Sequence, residues 1–306
     1  MIARLDRLRK HPAVFRAMTG LTPAVFDALL VDVLPALADA DFARRDRPDR
    51  DRAVGAGHPT GLTAPDRILL AVVWLRVYPT HAVPGYLFGV SESATRRLLG
   101  WSLPVLARAG RDTMRMPDPG KYGRRNLPAL VRDIPGLAVL VDTFEPPTHR
   151  PKRRQRAYYS GKKKRHTIKS QVGIDEASGR VVHVPRSVPG PSSDLTVLKE
   201  SGLLGRLPAG VGVIGDTAYL GIRAARPDVP SATPRRKPKG KPRPAADRRY
   251  NRAVARRRVG VEQTIRRLRV FQCPTQVNRH GRKRHEVRVR AVAGLVNRMI
   301  DARPAA

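Results

Sequence analysis

An all-α half followed by an α/β half built on a mixed sheet is the fold class that this sequence predicts, on three observations. Over the first 115 residues apolar side chains recur at helical spacing, as in Phe26, Leu29, Leu30 and Val33. Two continuous apolar runs, Leu137 to Val141 and Val211 to Ile214, are too short for helices and read as buried strands. Between and after them, an alternating stretch, a turn, a return strand and helical segments interleave.

The elements follow in order. Leu21-Thr22-Pro23 is a start signal, with Thr22 as N-cap and Pro23 at the first helical position. Residues 41–62, Asp/Arg-rich and then Gly55-Ala56-Gly57-His58-Pro59, read as a polar loop. From Ala64-Pro65 to Leu75 the chain is apolar nearly all round, the pattern of a buried helix. A short segment ending Tyr86-Leu87-Phe88-Gly89, then a helix capped by Ser91 with Arg96 and Arg97 in its early turns, make a helix-turn-helix pattern. Pro84-Gly85 requires its first helix to be short, or to begin at Pro84. Residues 116–135, punctuated by Pro and Gly, read as a linker.

Beyond the linker, residues 166–175 alternate, with Ile168, Val172 and Ile174 on one face of a strand. Glu176 to Gly179 supplies a turn, and Val181 to Val184 returns. Pro189-Gly190-Pro191 breaks the chain and Ser193 caps a short helix through Leu198. Residues 225–249, rich in Pro, Arg and Lys, read as an exposed loop, followed by a basic helix from about Asn251 to Phe271. The expected domains are therefore a helical DNA-binding domain over 1–115, the linker over 116–135, and an α/β domain over 136–302.

Composition narrows the function. The 306 residues carry 60 Lys+Arg against 25 Asp+Glu, a net charge of +35, while 41% hydrophobic residues exclude a wholly disordered basic tail. The single cysteine, Cys273, excludes an internal disulfide and fits a reducing cytosol. The longest apolar run, Ile68 to Leu75, is far short of the ~20 residues that span a bilayer, and the first residues lack a signal-peptide core. The expectation is a cytoplasmic protein that attracts polyanions, with no membrane partner. An RNA-binding protein fits the charge, but 5% aromatic residues argue against base-stacking platforms.

In so basic a chain the acids are informative. Both apolar strands run into an aspartate, Asp142 and Asp216. If the strands are parallel neighbours, the two carboxylates stand about 5 Å apart. Carboxylates near ~4 Å repel by ~4 kcal/mol at an effective dielectric of 20. A shared proton or a divalent cation would offset this, whereas either Asp alone could equally start a loop or cap a helix. Glu262 is the sole carboxylate between Asp247 and Glu286. On a helix, Val261, Ile265 and Leu268 form the buried stripe, and Arg258 and Arg269 fall within about 40° of Glu262. Three such carboxylates could hold two divalent metals around a phosphodiester. Oxygen ligands favour Mg²⁺, with Mn²⁺ as a substitute.

The order of short strings is also informative. It runs through Leu21 to Asp27, Gly55 to His58, Ile68 to Tyr78 and Phe88-Gly89-Val90-Ser91. It continues through Tyr158-Tyr159-Ser160-Gly161-Lys162-Lys163-Lys164-Arg165-His166-Thr167-Ile168-Lys169, Pro189 to Leu195 and Asp216-Thr217-Ala218-Tyr219-Leu220-Gly221. Asn251 through Glu262 and Ala291 to Asn297 complete it. This series resembles bacterial insertion-sequence transposases of the DDE class, in the insertion-sequence-five-like group, over nearly the whole chain.

The resemblance implies an RNase H-like catalytic domain in which Asp142, Asp216 and Glu262 are the catalytic triad and the ligands of two Mg²⁺ ions. It implies that Ser93, Thr95, Arg96 and Arg97 read the terminal inverted repeats of double-stranded DNA. Lys162, Lys163, Lys164 and Arg165 would hold the DNA backbone, and Arg258 and Arg269 the phosphates near the scissile bond. A homodimer on inverted-repeat and target DNA, associated with the nucleoid, is implied by class. The chain departs from the family pattern at Ala255 (Tyr in the pattern), Arg269 (Lys), Thr217-Ala218 (Lys-Gly) and Ser193 (His). Glu145 is expected to make a structural contact. Two alternatives stand beside the transposase: a catalytically inactive relative that binds DNA as a repressor, and an RNase H-like nuclease without strand transfer.

Overall fold

The computed structural model describes residues 3–46, 61–120 and 133–303; residues 47–60 of the loop expected over 41–62, with its Gly55-Ala56-Gly57-His58 string, and linker residues 121–132 lie outside the described residues. The chain forms two compact units. One comprises Met1–Thr113, Val270–Gln276 and Val287–Ala306; the other comprises Met114–Arg269 and Val277–Glu286.

The first unit is helical: α1 Leu5–Leu8, α2 Pro12–Thr19, α3 Pro23–Arg45, α4 Ala64–Val77, α5 Ala82–Phe88 and α6 Glu92–Asp112. Local chemistry starts the long helices. The side chains of Thr22, Thr63 and Ser91 accept the N–H of Val25, Asp66 and Ala94, each satisfying a donor that the first turn leaves unpaired. The uninterrupted apolar surface of α4 is buried from Ile68 to Leu75, with α2, α3, α5 and α6 packed around it. α5 is short, and Pro84 sits in its first turn, where a missing N–H costs nothing. Gly89 ends it with φ of +66°, and a Cβ on Gly85 would lie 2.8 Å from the Val90 carbonyl oxygen. The tight α5–α6 turn therefore depends on both glycines.

The second unit is α/β: β1 Leu137–Phe144, α7 Gln155–Tyr158, β2 Tyr159–Ser160, β3 Arg165–His166, β4 Ile168–Asp175, β5 Val181–His183, β6 Val188–Pro189, α8 Asp194–Glu200, β7 Val211–Ile214, α9 Ile222–Ala225, β8 Ser231–Ala232 and α10 Ala245–Val270. The main sheet has the order β5-β4-β1-β7-β8, with β6 also on β4 and β2-β3 forming a separate hairpin. β1 is antiparallel to β4 and parallel to β7, so the sheet is mixed, as predicted. Val139, Val141, Val211 and Val213 face a core closed by Leu198, Leu203, Tyr219 and Ile222. Side chains alternate across a strand, so Leu140 faces the other way, and a Cβ on Gly260 of α10 would meet its Cδ1 at 3.7 Å.

Five expectations are corrected. The loop expected over 41–62 starts later, because α3 continues through Arg45 and the Asp46 N–H still bonds to the Phe42 carbonyl. β1 runs two residues past Asp142, because its antiparallel pairing with β4 outlasts its parallel pairing with β7. The segment 225–249 is not all loop. Ser231-Ala232 forms the edge strand β8, pairing with Val213-Ile214 through backbone groups that carry no side-chain signature. α10 begins at Ala245, six residues before the expected start. The α/β domain does not extend to residue 302: α11, His285–Asp301, belongs from Val287 onward to the helical unit.

The physical reason for the last correction is a small-residue crossing. A Cβ on Gly294 would lie 2.3 Å from the Cα of Gly110 in α6, and one on Gly110 would lie 2.5 Å from the Arg290 carbonyl oxygen. Gly294→Val is expected to destabilise the helical unit by ~1–3 kcal/mol through overpacking. Both tryptophans, Trp74 and Trp101, lie in this unit, so urea unfolding followed by tryptophan fluorescence reads the effect directly. An unchanged midpoint would show that the crossing yields freely. Among the described residues no single helix is long and apolar enough to cross a membrane.

Candidate active site

The parallel pairing of β1 with β7 determines where the two strand acids stand. Leu137 pairs with Val211 and Leu140 with Ile214. The same offset, continued two residues, sets Asp142 level with Asp216. Alternation points both side chains to the sheet face that carries Leu140 and α10. Asp142 Oδ1 accepts the Thr143 N–H at 2.7 Å, and Oδ2 lies 3.7 Å from Nη2 of Arg258 on α10. Asp216 Oδ1 accepts the Ala218 N–H at 2.8 Å, capping a 3₁₀ turn over Thr217–Tyr219. Each carboxylate thus has one oxygen fixed by backbone.

Burial raises the Asp142 carboxyl above the ordinary aspartate range. The Thr143 N–H and Arg258 oppose the rise, while Asp216 and Asp194 reinforce it. Negative charge is therefore concentrated here, with Arg258 as the one cation set directly against Asp142 among the described residues. Burial also holds the Tyr219 phenol far above its usual range, with Asp194 adding to the effect, so it remains protonated. Its oxygen accepts from Gln171 Nε2 at 3.1 Å. A Cβ on Gly215 would lie 2.7 Å from Tyr219, so the glycine before Asp216 is where the ring closes under the turn.

Glu262 is placed by helical phase. Arg257 and Thr264 of α10 contact Pro135, Glu176 and Gly179, at the amino end of β1 and the β4–β5 turn. Arg258, about 100° further round the axis, reaches the opposite way to Asp142. Glu262 lies about 40° from Arg258, and Arg269 between them in phase, so the three share one edge of α10. Glu262 is exposed there. Among the described residues no group of three or more His, Cys, Asp or Glu side chains is gathered in metal-binding geometry. The fold brings Asp142 and Asp216 together, while Glu262 lies exposed on the edge of α10 that carries Arg258.

The donor set suits a hard divalent cation. It consists of carboxylate oxygens on two neighbouring aspartates, faced on the Asp142 side by Arg258 at 3.7 Å. Asp194 is a neighbour that the sequence reading did not single out as a site residue. It starts α8 and pairs with Lys169 Nζ at 2.6 Å, which also donates to the Ser192 carbonyl. The available signal was its position behind the Ser193 cap at the end of the Pro189-Gly190-Pro191 break. Glu145 makes the structural contact expected of it: its carboxylate accepts the Thr167 hydroxyl, and its carbonyl accepts from Lys163 Nζ at 2.6 Å.

Of the residues expected to touch DNA, Ser93, Arg96 and Arg97 are exposed on α6. Thr95 is not available. It is fully buried and its hydroxyl donates to the Ser91 carbonyl at 3.1 Å, because it falls on the inward stripe with Leu98, Leu99 and Ser102. Lys162, Lys163, Lys164 and Arg165 are exposed around the β2–β3 turn, with Lys164 in the left-handed region at φ of +52°. Arg269 is exposed and Arg258 half-buried.

Comparison with known proteins accords with this arrangement. A family model described as "DDE superfamily endonuclease" matches residues 141–297, and one described as "Helix-turn-helix of DDE superfamily endonuclease" matches residues 60–112. A protein of Microchaete diplosiphon described as "Probable transposase for insertion sequence element IS702" is 29% identical over 283 residues, covering 92% of this chain and 93% of its own. No solved structure matches significantly. A nuclease match spanning half the chain, preceded by its partner helix-turn-helix over α4 to α6, establishes that the chain belongs to the DDE superfamily endonucleases.

Proposed function

We propose that this chain is a DNA transposase that binds terminal inverted repeats, cleaves at the element's end and joins the freed 3′ end to target DNA. The observation that supports the proposal is the parallel pairing of β1 with β7, which brings Asp142 near Asp216, with Arg258 of α10 3.7 Å from Asp142. DDE superfamily endonucleases use divalent metals. Here Asp142, Asp216 and Glu262 would hold two Mg²⁺ ions, with Mn²⁺ as a substitute. When bound, such ions activate the attacking oxygen and stabilise the leaving one. The chain's own groups do the positioning. The Thr143 and Ala218 N–H groups orient the two aspartates, and Arg258 and Arg269 bind phosphate along the helix edge. Lys162, Lys163, Lys164 and Arg165 hold the backbone of the duplex.

Helix α6, with Ser93, Arg96 and Arg97 outward, reads the inverted repeats in the major groove. A homodimer on DNA, in the cytoplasm with the chromosome, would present one site to each end. The test is cleavage of an end-labelled duplex carrying the inverted repeats that flank the reading frame. Cleavage with Mg²⁺, its loss on chelation, and joined products on a target plasmid are expected. Binding without cleavage in either metal would make the chain a repressor, and cleavage without joining would make it a nuclease.

A further inference from the structure

We propose that residues 234–244 form a second DNA-binding element, a basic arm whose tip lies in the minor groove of A·T-rich duplex beside the strand acids. The proposal rests on the DNA reading given above and adds a contact site and its preference. From Val229 to Ala246 there is no carboxylate and there are six cations: Arg235, Arg236, Lys237, Lys239, Lys241 and Arg243.

A merely solvated charge run would be loosely tethered, and this one is clamped at both feet. Asn251 of α10 accepts the Arg235 N–H at 2.8 Å and donates to the Arg235 carbonyl at 3.0 Å. The Arg235 guanidinium lies between Asp247 at 3.0 Å and Asp133 at 3.3 Å, over the Tyr250 ring. Arg248 Nη1 donates to the Arg243 carbonyl at 3.0 Å. Between these feet, Arg236, Lys237, Lys239 and Lys241 are exposed and have no ion-pair partner among the described residues. An exposed run of like charges tethered at both ends attracts a polyanion.

The arm's placement and shape select the partner. β8 continues the parallel ladder, pairing Ala232 with Ile214. Ala232 is the carboxyl end of β8 and pairs two residues before Asp216, so the arm leaves the sheet from the same end as the acids, one strand outward. Its turn is at Lys239-Gly240, with Gly240 at φ of +71° and open space where a Cβ would be. Pro238 and Pro242 flank the turn and favour extended chain. An extended basic tip without bulk suits a groove about 6 Å wide, which excludes a helix. A·T-rich grooves are the narrowest and concentrate the negative potential that draws in Lys and Arg. No aromatic residue lies between Tyr219 and Tyr250, which removes the stacking surface that single-stranded or looped RNA binding requires.

The test uses the full chain in chelator, with fluorescence anisotropy on duplexes of A·T, G·C and inosine·C. Inosine lacks the guanine amino group that lies in the minor groove, while its major-groove edge stays guanine-like. The wild type is expected to bind A·T and inosine·C alike and G·C more weakly. Lys239→Gln/Lys241→Gln should lose that preference, with a salt slope smaller by about 1.8 for two phosphate-equivalent contacts. Gly240→Val should lose the preference with the slope intact, because it fills the tip without altering charge. Wild-type binding of inosine·C that matches G·C, or a double variant with wild-type preference and slope, would overturn the arm. Metal-dependent cleavage of inverted repeats alongside either result leaves the transposase reading standing; wild type that binds none of the three duplexes overturns both.

Discussion

Asp142→Asn is expected to lower metal-dependent cleavage by at least ~10³-fold, about 4 kcal/mol in activation free energy, while leaving duplex binding intact or slightly tighter. The loss follows from removing one of the charged oxygens that fit a divalent cation, at the residue that lies level with Asp216. The same substitution carries an opposite expectation for stability. The Asp142 carboxylate is largely buried, repelled by Asp216 and Asp194, and its burial outweighs the opposing pull of Arg258 at 3.7 Å. Without metal, ionised Asp142 therefore costs folding free energy, and the neutral Asn raises Tm by a few degrees. Mg²⁺ should raise Tm in the wild type and much less in the variant, by preferential binding to the folded state. Asp194→Asn supplies the contrast. It leaves the Lys169 ammonium without its carboxylate in a largely buried position, so Tm falls. Cleavage by Asp142→Asn within tenfold of wild type would remove Asp142 from the set of ligands.

Much of this site was legible because strands and caps are local. The runs ending at Asp142 and Asp216, the Thr22, Ser91 and Ser193 caps, and the stripe of Val261, Ile265 and Leu268 all declare themselves within a few residues. Thr95 was misread although its signal was present: it shares helical phase with Leu98, Leu99 and Ser102, and its hydroxyl is satisfied by its own helix. Two features had no local signal. β8 is two residues between prolines and exists only as backbone pairing with β7. The return of α11 to the helical unit depends on Gly110 meeting Gly294, a contact across 184 residues between two side-chain-free positions. Nor can periodicity reveal that the 74-residue offset between paired strands equals the spacing of the two aspartates, since tertiary pairing sets the register.

The phase of α10 depends on one buried cation, and its removal is expected to have the largest effect on stability of the substitutions considered. Arg257 donates to both carboxylate oxygens of Glu176 and to the carbonyls of Pro135 and Gly136. The arginine and glutamate side chains are only 10% and 9% exposed. Arg257→Ala would remove the guanidinium fork from the buried Glu176 carboxylate and from two backbone carbonyls, at a cost of ~3–5 kcal/mol. Arg257→Lys keeps the charge but cannot make the same fork, so it should fall between. Far-UV circular dichroism in urea measures the loss, since the tryptophans report the other unit. Arg257→Met with Glu176→Leu should recover much of the stability, because neither half of this buried pair is left without the other. Cleavage should not recover with it. Arg258 and Glu262 take their direction from the same helix, and a misplacement of about 1 Å at reacting groups can cost ~10²-fold. A double variant that regains both stability and wild-type cleavage would show that Arg257 serves folding alone, and that the edge bearing Glu262 is held by the apolar stripe.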